Sequence, residues 1–125
     1  MCLTMKRLMI VDDNPGMRRL IRSITGDLAA SVVECADGSE ALEAYAAHKP
    51  DWVLMDIEMP TLDGISATRE ITLAFPDARI LIVTEYDDPD WREEARRAGA
   101  CGYVLKESLP ELRRILGQPL GSEAE

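Results

Sequence analysis

The sequence lacks long apolar runs and has few cysteines. No stretch approaches the roughly 18 apolar residues of a membrane-spanning helix, and the first residues lack the apolar region of a signal peptide. The 3 cysteines are odd in number and lack the spacing of a metal site, so we expect reduced thiols. These absences favour a cytoplasmic protein without a membrane segment.

Positive charge is also scarce. Against 23 Asp and Glu there are 14 Lys and Arg, which gives a net charge of -9. Nucleic-acid binding needs a positive footprint, so we expect no direct binding of nucleic acid by this chain. A length of 125 residues leaves room for one domain with a hydrophobic core. We expect that domain over residues 1–121, followed by an acidic tail over residues 122–125.

Short apolar runs predict five strands. The runs are almost continuously apolar, which is typical of parallel strands covered on both faces. The predicted strands are residues 7–11, 32–36, 52–55, 79–84 and 101–105.

Segments with helical periodicity separate these runs. In the first, apolar residues recur at positions i, i+3, i+4 and i+7 after Asn14, which we expect to be the N-cap, and Pro15 in the first turn. The predicted helices run from Pro15 to near Gly26, from 37–39 until Pro50, from Gly64 to about Phe75, over 91–98, and over 112–116 after a capping box at 108–111.

This alternation predicts an α/β fold, a single doubly wound five-stranded parallel sheet with right-handed crossovers. For five strands the common order is the flavodoxin-like 2-1-3-4-5. That order places the first and third strands side by side, about 4.8 Å apart. We therefore expect Asp12 and Asp13, after the first strand, to meet Asp56, after the third.

Asp56 is the residue around which the site is predicted. It ends an apolar strand, and Pro60 stops any continuation. A carboxylate buried inside the strand would cost several kcal/mol unless paired or bound to a metal. At the carboxyl end of the strand it instead faces the crevice where open α/β sheets bind ligands. We interpret Asp56 as a phosphate acceptor.

The carboxylates predicted at this edge repel one another. Two unit charges 4 Å apart cost about 4 kcal/mol at an effective dielectric constant near 20. Such a cluster either retains a proton or holds a cation, and its all-oxygen ligands favour Mg²⁺. In the simpler alternative, Asp12 and Asp13 are only capping and first-turn acids of the following helix.

Two further strand ends add a hydroxyl and an ammonium group to the predicted crevice. Thr84 closes the fourth strand, and Lys106 follows the fifth, from which it can reach inward as a point charge able to bind phosphate.

Together these residues resemble the receiver domain of bacterial two-component response regulators. The resemblance covers about residues 6 to 116, and residues 87–106 are most similar to receivers that precede helix-turn-helix output domains. The stretches that carry it are Asp12-Asp13-Asn14, Asp56-Ile57-Glu58-Met59-Pro60, Asp63-Gly64, Thr84 and Gly102-Tyr103-Val104-Leu105-Lys106.

The resemblance implies a phosphorylation chemistry. Asp56 would take a phosphoryl group from a phosphohistidine on a histidine kinase or a histidine phosphotransfer protein, and the modified chain would switch its binding to a downstream effector or to an output domain. The chain would not be an enzyme for an outside substrate, beyond slow self-dephosphorylation. Covalent capture by a carboxylate is known aspartyl-phosphate chemistry.

The resemblance also implies a role for each site residue. Asp13 would bind Mg²⁺ directly and Asp12 directly or through water, with the Asp56 carboxylate and the Glu58 backbone carbonyl completing the protein ligands. Thr84 and Lys106 would hold the phosphoryl oxygens. Tyr103 would be the aromatic switch that swings inward when Thr84 moves.

Three features depart from the family pattern. Glu85 stands where receivers usually carry a small residue, so we expect slower phosphotransfer or an altered phosphoryl lifetime, unless this side chain points to solvent. Glu107 follows Lys106 where many receivers have proline. The last helix ends early at Gly117, which puts dimerisation in doubt, so we expect a monomer or a weak dimer.

The sequence also has three alternative functional interpretations. An enzyme could use the acidic cluster and Mg²⁺ to hydrolyse phosphate esters, but nothing resembles a substrate pocket. A flavin or nucleotide domain would need a Gly-rich phosphate loop, where this chain has Asp12-Asp13-Asn14-Pro15-Gly16. A receiver-like scaffold could bind protein partners without phosphorylation, an alternative that Glu85 keeps open.

Overall fold

The computed structural model describes residues 4–117, in which five strands alternate with five α-helices. The strands are β1 (Met5–Val11), β2 (Ala29–Cys35), β3 (Trp52–Met55), β4 (Ile80–Thr84) and β5 (Gly102–Leu105). The helices are α1 (Pro15–Thr25), α2 (Ala41–His48), α3 (Gly64–Ala74), α4 (Pro89–Ala98) and α5 (Pro110–Leu116). The expected tail at 122–125 lies outside the described residues.

All neighbouring strands are parallel, and their order is β2-β1-β3-β4-β5. This confirms the predicted doubly wound sheet. In the register, Val11 pairs with Met55. The residues that directly follow β1 and β3 are therefore level with each other at the carboxyl edge of the sheet.

The core lies on both faces of the sheet, as the continuous apolar runs predict. One cluster includes Met9, Val53 and Ile82, and the other includes Leu8, Leu54 and Leu81. Neighbouring residues in one strand thus pack into opposite layers, because successive strand side chains point to opposite faces. No helix within residues 4–117 is long and apolar enough to cross a membrane.

Strand β2 begins three residues before the predicted start at residue 32. The early part of β2 is Ala29-Ala30-Ser31, which has no strand-like apolar pattern. It is strand because Met5 pairs with Ala29 and Arg7 pairs with Ser31. Pairing with a neighbouring strand, rather than local preference, sets this boundary.

Three helix starts also differ from the prediction. The segment expected to begin a helix at 37–39 forms a 3-10 turn over Gly38–Glu40, and α2 itself begins at Ala41. Helix α4 begins at Pro89, two residues early, because the Asp88 side chain accepts the backbone N–H groups of Asp90 and Trp91. The predicted capping box before α5 is wrong. Ser108 ends a 3-10 turn, and α5 begins at Pro110 without a side-chain cap.

Helix α5 is short but well anchored. Leu112 and Leu116 are fully buried in the core layer that α1 also covers. Arg113 donates to the backbone carbonyl of Ile24 at 2.8 Å and pairs with Asp27 at 2.7 Å. These contacts hold the last helix of the described chain against the first.

Candidate functional site

Two carboxylates follow adjacent parallel strands at the same edge of the sheet. Asp12 directly follows β1 and Asp56 directly follows β3. The backbone N–H of Asp56 donates to the carbonyl of Val11 at 2.9 Å, and the N–H of Asp12 donates to the carbonyl of Cys35 at 3.1 Å. The hydrogen-bond ladder thus extends one residue past each strand and fixes the backbone under both side chains.

Asp13 completes a cluster of three carboxylates. Asp12, Asp13 and Asp56 each place one carboxylate oxygen so that these atoms lie within 4.8 Å of one another. Asp12 is 1% exposed and Asp56 is 7% exposed, whereas Asp13 is open to solvent. The convergence expected from the strand order is therefore what the structure has.

Lys106 is the cation that faces this cluster. It begins the 3-10 turn after β5, and its Nζ lies 3.0 Å from Oδ2 of Asp12 and 3.4 Å from Oδ1 of Asp56. The Lys106 side chain is 13% exposed. One ammonium group therefore neutralises only part of the charge of three carboxylates.

The surroundings raise the pKa of Asp56 to about 6. Burial is the main cause and the neighbouring charge of Asp12 is the second, while Lys106 and a 2.8 Å hydrogen bond from the Ile57 N–H oppose them. The pKa of Lys106 is raised, because its interactions with Asp12 and Asp56 outweigh the effect of its burial. The raised pKa of Lys106 and the contribution of Asp12 to the pKa of Asp56 indicate an excess of negative charge at the site.

The donor set fits a hard divalent cation. Oδ1 of Asp12 accepts the Asn14 N–H at 2.9 Å, and its buried Oδ2 is paired with Lys106 Nζ at 3.0 Å. Two carboxylates and the open side chain of Asp13 share this one ammonium, so negative charge remains for a second cation. A cation could bind among the oxygens of Asp12, Asp13 and Asp56, and an all-oxygen set favours Mg²⁺.

A cleft of about 810 Å³ opens over these groups. Glu58 and Glu85 line it, together with the apolar side chains of Met59 and Trp91. Glu85 lines the cleft and its side chain is exposed, so its effect on phosphotransfer stays a prediction.

Thr84 and Tyr103 are not among the described residues that line the cleft, although the sequence predicts the Thr84 hydroxyl in the crevice. Thr84 is fully buried, and its hydroxyl accepts the Tyr86 N–H at 3.3 Å. The Tyr103 hydroxyl donates to the Tyr86 carbonyl at 2.6 Å, and the Arg92 guanidinium lies over the Tyr103 ring at 4.5 Å. Both side chains therefore contact the backbone of one residue, Tyr86.

Tyr86 was missed from the sequence. Its hydroxyl donates to Oε1 of Glu58 at 2.8 Å, and its ring meets Trp91 edge-on with 5.1 Å between centroids. The side chain thus joins the loop after β4 to the loop after β3 across the cleft. An aromatic residue in a turn carries no periodic signal, so only the partner's position in space could have indicated this contact.

Gly64 closes the loop that carries Glu58. The Gly64 N–H donates to the Ile57 carbonyl at 2.8 Å, and a side chain at Gly64 would place its Cβ 1.8 Å from the Asp56 carbonyl oxygen. Only glycine permits this approach. The loop over residues 57–63 therefore begins directly after Asp56 and ends in close contact with the Asp56 backbone.

Comparisons with known proteins agree with this geometry. The family model described as the response regulator receiver domain matches residues 8–116. The chain is 39% identical to the transcriptional regulatory protein YxjL of Bacillus subtilis over 84% of this chain and 49% of that protein. It is 40% identical to the chemotaxis protein CheY of Halobacterium salinarum over 81% of this chain and 84% of that protein. The chain spans about half the length of YxjL and of YhcZ, a second transcriptional regulatory protein of Bacillus subtilis.

Solved structures show the same fold. A two-component response regulator of the LuxR family from Aurantimonas is 37% identical, with a TM-score of 0.81 over 93% of this chain and 87% of that one. The response regulator domain of CheB from Thermotoga maritima is 30% identical, with a TM-score of 0.82 over 94% and 98%.

The fold and the carboxylate cluster define the class, a doubly wound α/β domain with an acidic site at the carboxyl edge of the sheet. Within that class, the chain belongs to the receiver domain family of two-component response regulators.

Proposed function

We propose that this chain is a Mg²⁺-dependent phosphoacceptor and that Asp56 receives the phosphoryl group. The observation that carries the proposal is the cluster itself: three carboxylate oxygens within 4.8 Å, with Lys106 Nζ 3.0 and 3.4 Å from two of the carboxylates. A structural ion pair would need one carboxylate for one ammonium. The surplus negative charge is suited to a cation.

The chemistry is an in-line phosphoryl transfer. A carboxylate oxygen of Asp56 attacks the phosphorus of a phosphohistidine, the new P–O bond forms as the P–N bond breaks, and the imidazole nitrogen leaves with the electron pair. Mg²⁺, when bound, would neutralise charge on the phosphoryl oxygens. Asp12 and Asp13 would hold it, with Asp56 and the Glu58 carbonyl as further ligands.

The remaining site residues would hold and report the phosphoryl group. Lys106 would move its ammonium from the Asp56 carboxylate to a phosphoryl oxygen, since phosphorylation adds up to about two negative charges. Thr84 would offer its hydroxyl to another oxygen and Tyr103 would follow as the aromatic switch. Tyr86 stands between them, because its N–H contacts Thr84 and its carbonyl contacts Tyr103.

The partners of the proposed reaction are those that membership of the receiver family suggests. The donor would be a histidine kinase or a histidine phosphotransfer protein in a cytoplasmic phosphorelay. The modified chain would act on a downstream effector or on an output domain, rather than on an outside substrate as an enzyme. The whole unit would be the receiver domain, expected over residues 1–121, acting as a monomer or weak dimer.

The direct experiment is incubation with Mg²⁺ and acetyl phosphate, followed by intact mass measurement. We expect a gain of about 80 Da, the mass of one phosphoryl unit, in the native chain and no gain in Asp56→Asn. Asp77→Asn, which changes an exposed carboxylate beside Arg79 at another pocket, is the matched control and should gain the same mass. An unmodified native chain with every phosphodonor would overturn the proposal in favour of a scaffold that acts without phosphorylation.

Glu85 is tested in the same assay. Its charge at the rim of the cleft repels an incoming phosphoryl dianion, so Glu85→Ala should be phosphorylated several-fold faster at low ionic strength, with a smaller difference at high salt. Equal rates of phosphorylation and of phosphate loss in the two proteins would show that Glu85 has no such role.

A further inference from the structure

The middle of the loop over residues 57–63 is held by hydrogen bonds with residues outside the loop. Its ends are closed by the bond from the Gly64 N–H to the Ile57 carbonyl. Within residues 4–117, the segment 58–62 makes no backbone-to-backbone hydrogen bond. The Tyr86 hydroxyl holds the Glu58 side chain, and a separate group fixes the backbone of residues 61 and 62.

Asp37, in the turn after β2, supplies that group. Its Oδ1 accepts the Thr61 N–H at 2.9 Å, and its Oδ2 accepts the Leu62 N–H at 3.3 Å and the Ser39 N–H at 2.8 Å. Asp37 is 8% exposed. Two of these three bonds cross to the loop, so one nearly buried carboxylate accepts hydrogen bonds from both the Thr61 and the Leu62 backbone N–H groups.

The neighbouring glycine shows how close the two segments are. A side chain at Gly38 would place its Cβ 2.3 Å from the Leu62 carbonyl oxygen. The backbone donors also lower the pKa of Asp37, although its burial acts in the opposite direction. The carboxylate is therefore charged at neutral pH, and its bonds to Thr61 and Leu62 are of the stronger, charge-assisted kind.

We propose that Asp37 is a positioning residue for the divalent-cation site, because it fixes loop 57–63 and thereby the place of the Glu58 backbone carbonyl. This inference depends on the proposed function, in which that carbonyl is a Mg²⁺ ligand. Mg²⁺ demands nearly ideal octahedral geometry. When a group that orients a metal ligand without touching the metal is lost, the affinity for the metal typically falls by about 10- to 100-fold.

The variant Asp37→Ser separates two roles of this side chain, which caps its own turn and holds the backbone of the loop. A serine hydroxyl is a good N-cap and can keep the bond to the Ser39 N–H, but one oxygen on a shorter side chain cannot also hold Thr61 and Leu62. Glu40→Gln is the matched control. Glu40 lies in the same turn and accepts the Ala36 N–H at 3.0 Å, with no hydrogen bond to the loop.

Three quantities are measured on the full chain. Calorimetric titration with MgCl₂ gives the Mg²⁺ dissociation constant, hydrogen exchange gives the protection of the Thr61 and Leu62 amides, and phosphorylation by acetyl phosphate is followed against Mg²⁺ concentration. For Asp37→Ser we expect a dissociation constant about tenfold higher, faster exchange of both amides, and a maximum rate restored at saturating Mg²⁺. Glu40→Gln should leave all three unchanged.

The outcomes separate this inference from the proposed function. A native chain that binds no Mg²⁺ and takes no phosphate contradicts the proposed function itself. A native chain that does both, beside an Asp37→Ser variant with unchanged Mg²⁺ affinity, overturns only the role of Asp37. A reduced maximum rate with unchanged affinity overturns it as well. If Asp37→Ser does not fold, Asp37→Asn, which keeps the side-chain size and one acceptor oxygen, is judged by the same criteria.

Discussion

Replacing Asp56 with its neutral isostere, asparagine, should stabilise the metal-free protein. In Asp56→Asn the side-chain oxygen can still accept the Ile57 N–H that Asp56 accepts at 2.8 Å. The substitution removes a carboxylate that is 7% exposed and close to the charge of Asp12. It also removes the attraction to Lys106, 3.4 Å away, so the balance of these effects decides the sign.

The pKa of Asp56 measures that balance. Burial and the charge of Asp12 raise the pKa of Asp56, and Lys106 opposes them, so that the pKa changes from 3.8 to about 6. At about 1.4 kcal/mol for each pKa unit, the charged form is disfavoured by up to about 3 kcal/mol. Because the cleft admits water and screens part of this effect, we expect Asp56→Asn to raise the free energy of unfolding at pH 7.5 by about 1–2 kcal/mol.

The stability that Asp56→Asn gains over the native chain should increase as pH rises. The raised pKa means that the folded state binds the Asp56 proton more tightly than the unfolded state does. The native chain therefore loses stability from this group as pH rises from about 4 to about 6, and the variant does not. The difference between the two proteins should be near zero below pH 4 and greatest above pH 6.

Urea denaturation followed by tryptophan fluorescence, in the presence of EDTA at several pH values, measures this difference. Mg²⁺ at ten times its dissociation constant should then stabilise the native chain by about 1.4 kcal/mol and the variant by less. Asp77→Asn is again the control and should track the native chain. A variant no more stable than the native chain at pH 7.5, or a difference independent of pH, would refute the reasoning.

Two further predictions concern the loops around the site. Tyr86→Phe removes the exposed hydrogen bond to Glu58 and should lower the urea concentration at the unfolding midpoint. Glu58→Gln keeps an acceptor oxygen and should lower the midpoint less. Equal decreases in the two variants, or none in Tyr86→Phe, would contradict this. Gly64→Ala forces a Cβ to within 1.8 Å of the Asp56 carbonyl oxygen and should cost about 3 kcal/mol or more. As a contrast away from the site, Gly26→Ala changes a residue of ordinary helical φ at the end of α1, where the added Cβ would lie 3.4 Å from Arg22 Cγ, and it should stabilise by about 0.4–1 kcal/mol in the same denaturation assay.

The strand order and the meeting of the acidic residues could be predicted because each depends on features that lie along the chain. Continuous apolar runs mark strands buried on both faces, and parallel pairing brings their carboxyl ends to one edge. Once β1 and β3 are neighbours, Asp12 and Asp56 must be close. The alternation of strands and helices along the chain is therefore nearly sufficient to predict that these two carboxylates meet.

The contacts between loops could not be predicted in the same way. Asp37 binds the N–H groups of Thr61 and Leu62, 24 and 25 residues away, and Tyr86 binds Glu58 28 residues away. Such bonds depend on the placement of irregular backbone, which no local periodicity encodes.

Local rules also failed where tertiary contacts were stronger. The capping box expected from Ser108 and Glu111 does not form, because Ser108 lies in the 3-10 turn that carries Lys106 toward the carboxylates. The beginning of β2 is strand because of its pairing with β1 and not because of its own residues.

The central claim is that Asp56 accepts a phosphoryl group beside a cation held by its neighbours. A crystal structure of the chain with Mg²⁺ and beryllofluoride, a stable mimic of the phosphoryl group, tests it most directly. We predict beryllium bonded to a carboxylate oxygen of Asp56 and Mg²⁺ about 2.0–2.1 Å from oxygens of Asp13 and Asp56, with Lys106 turned to a fluoride. Beryllofluoride on another residue, or Mg²⁺ bound away from these carboxylates, would contradict the account.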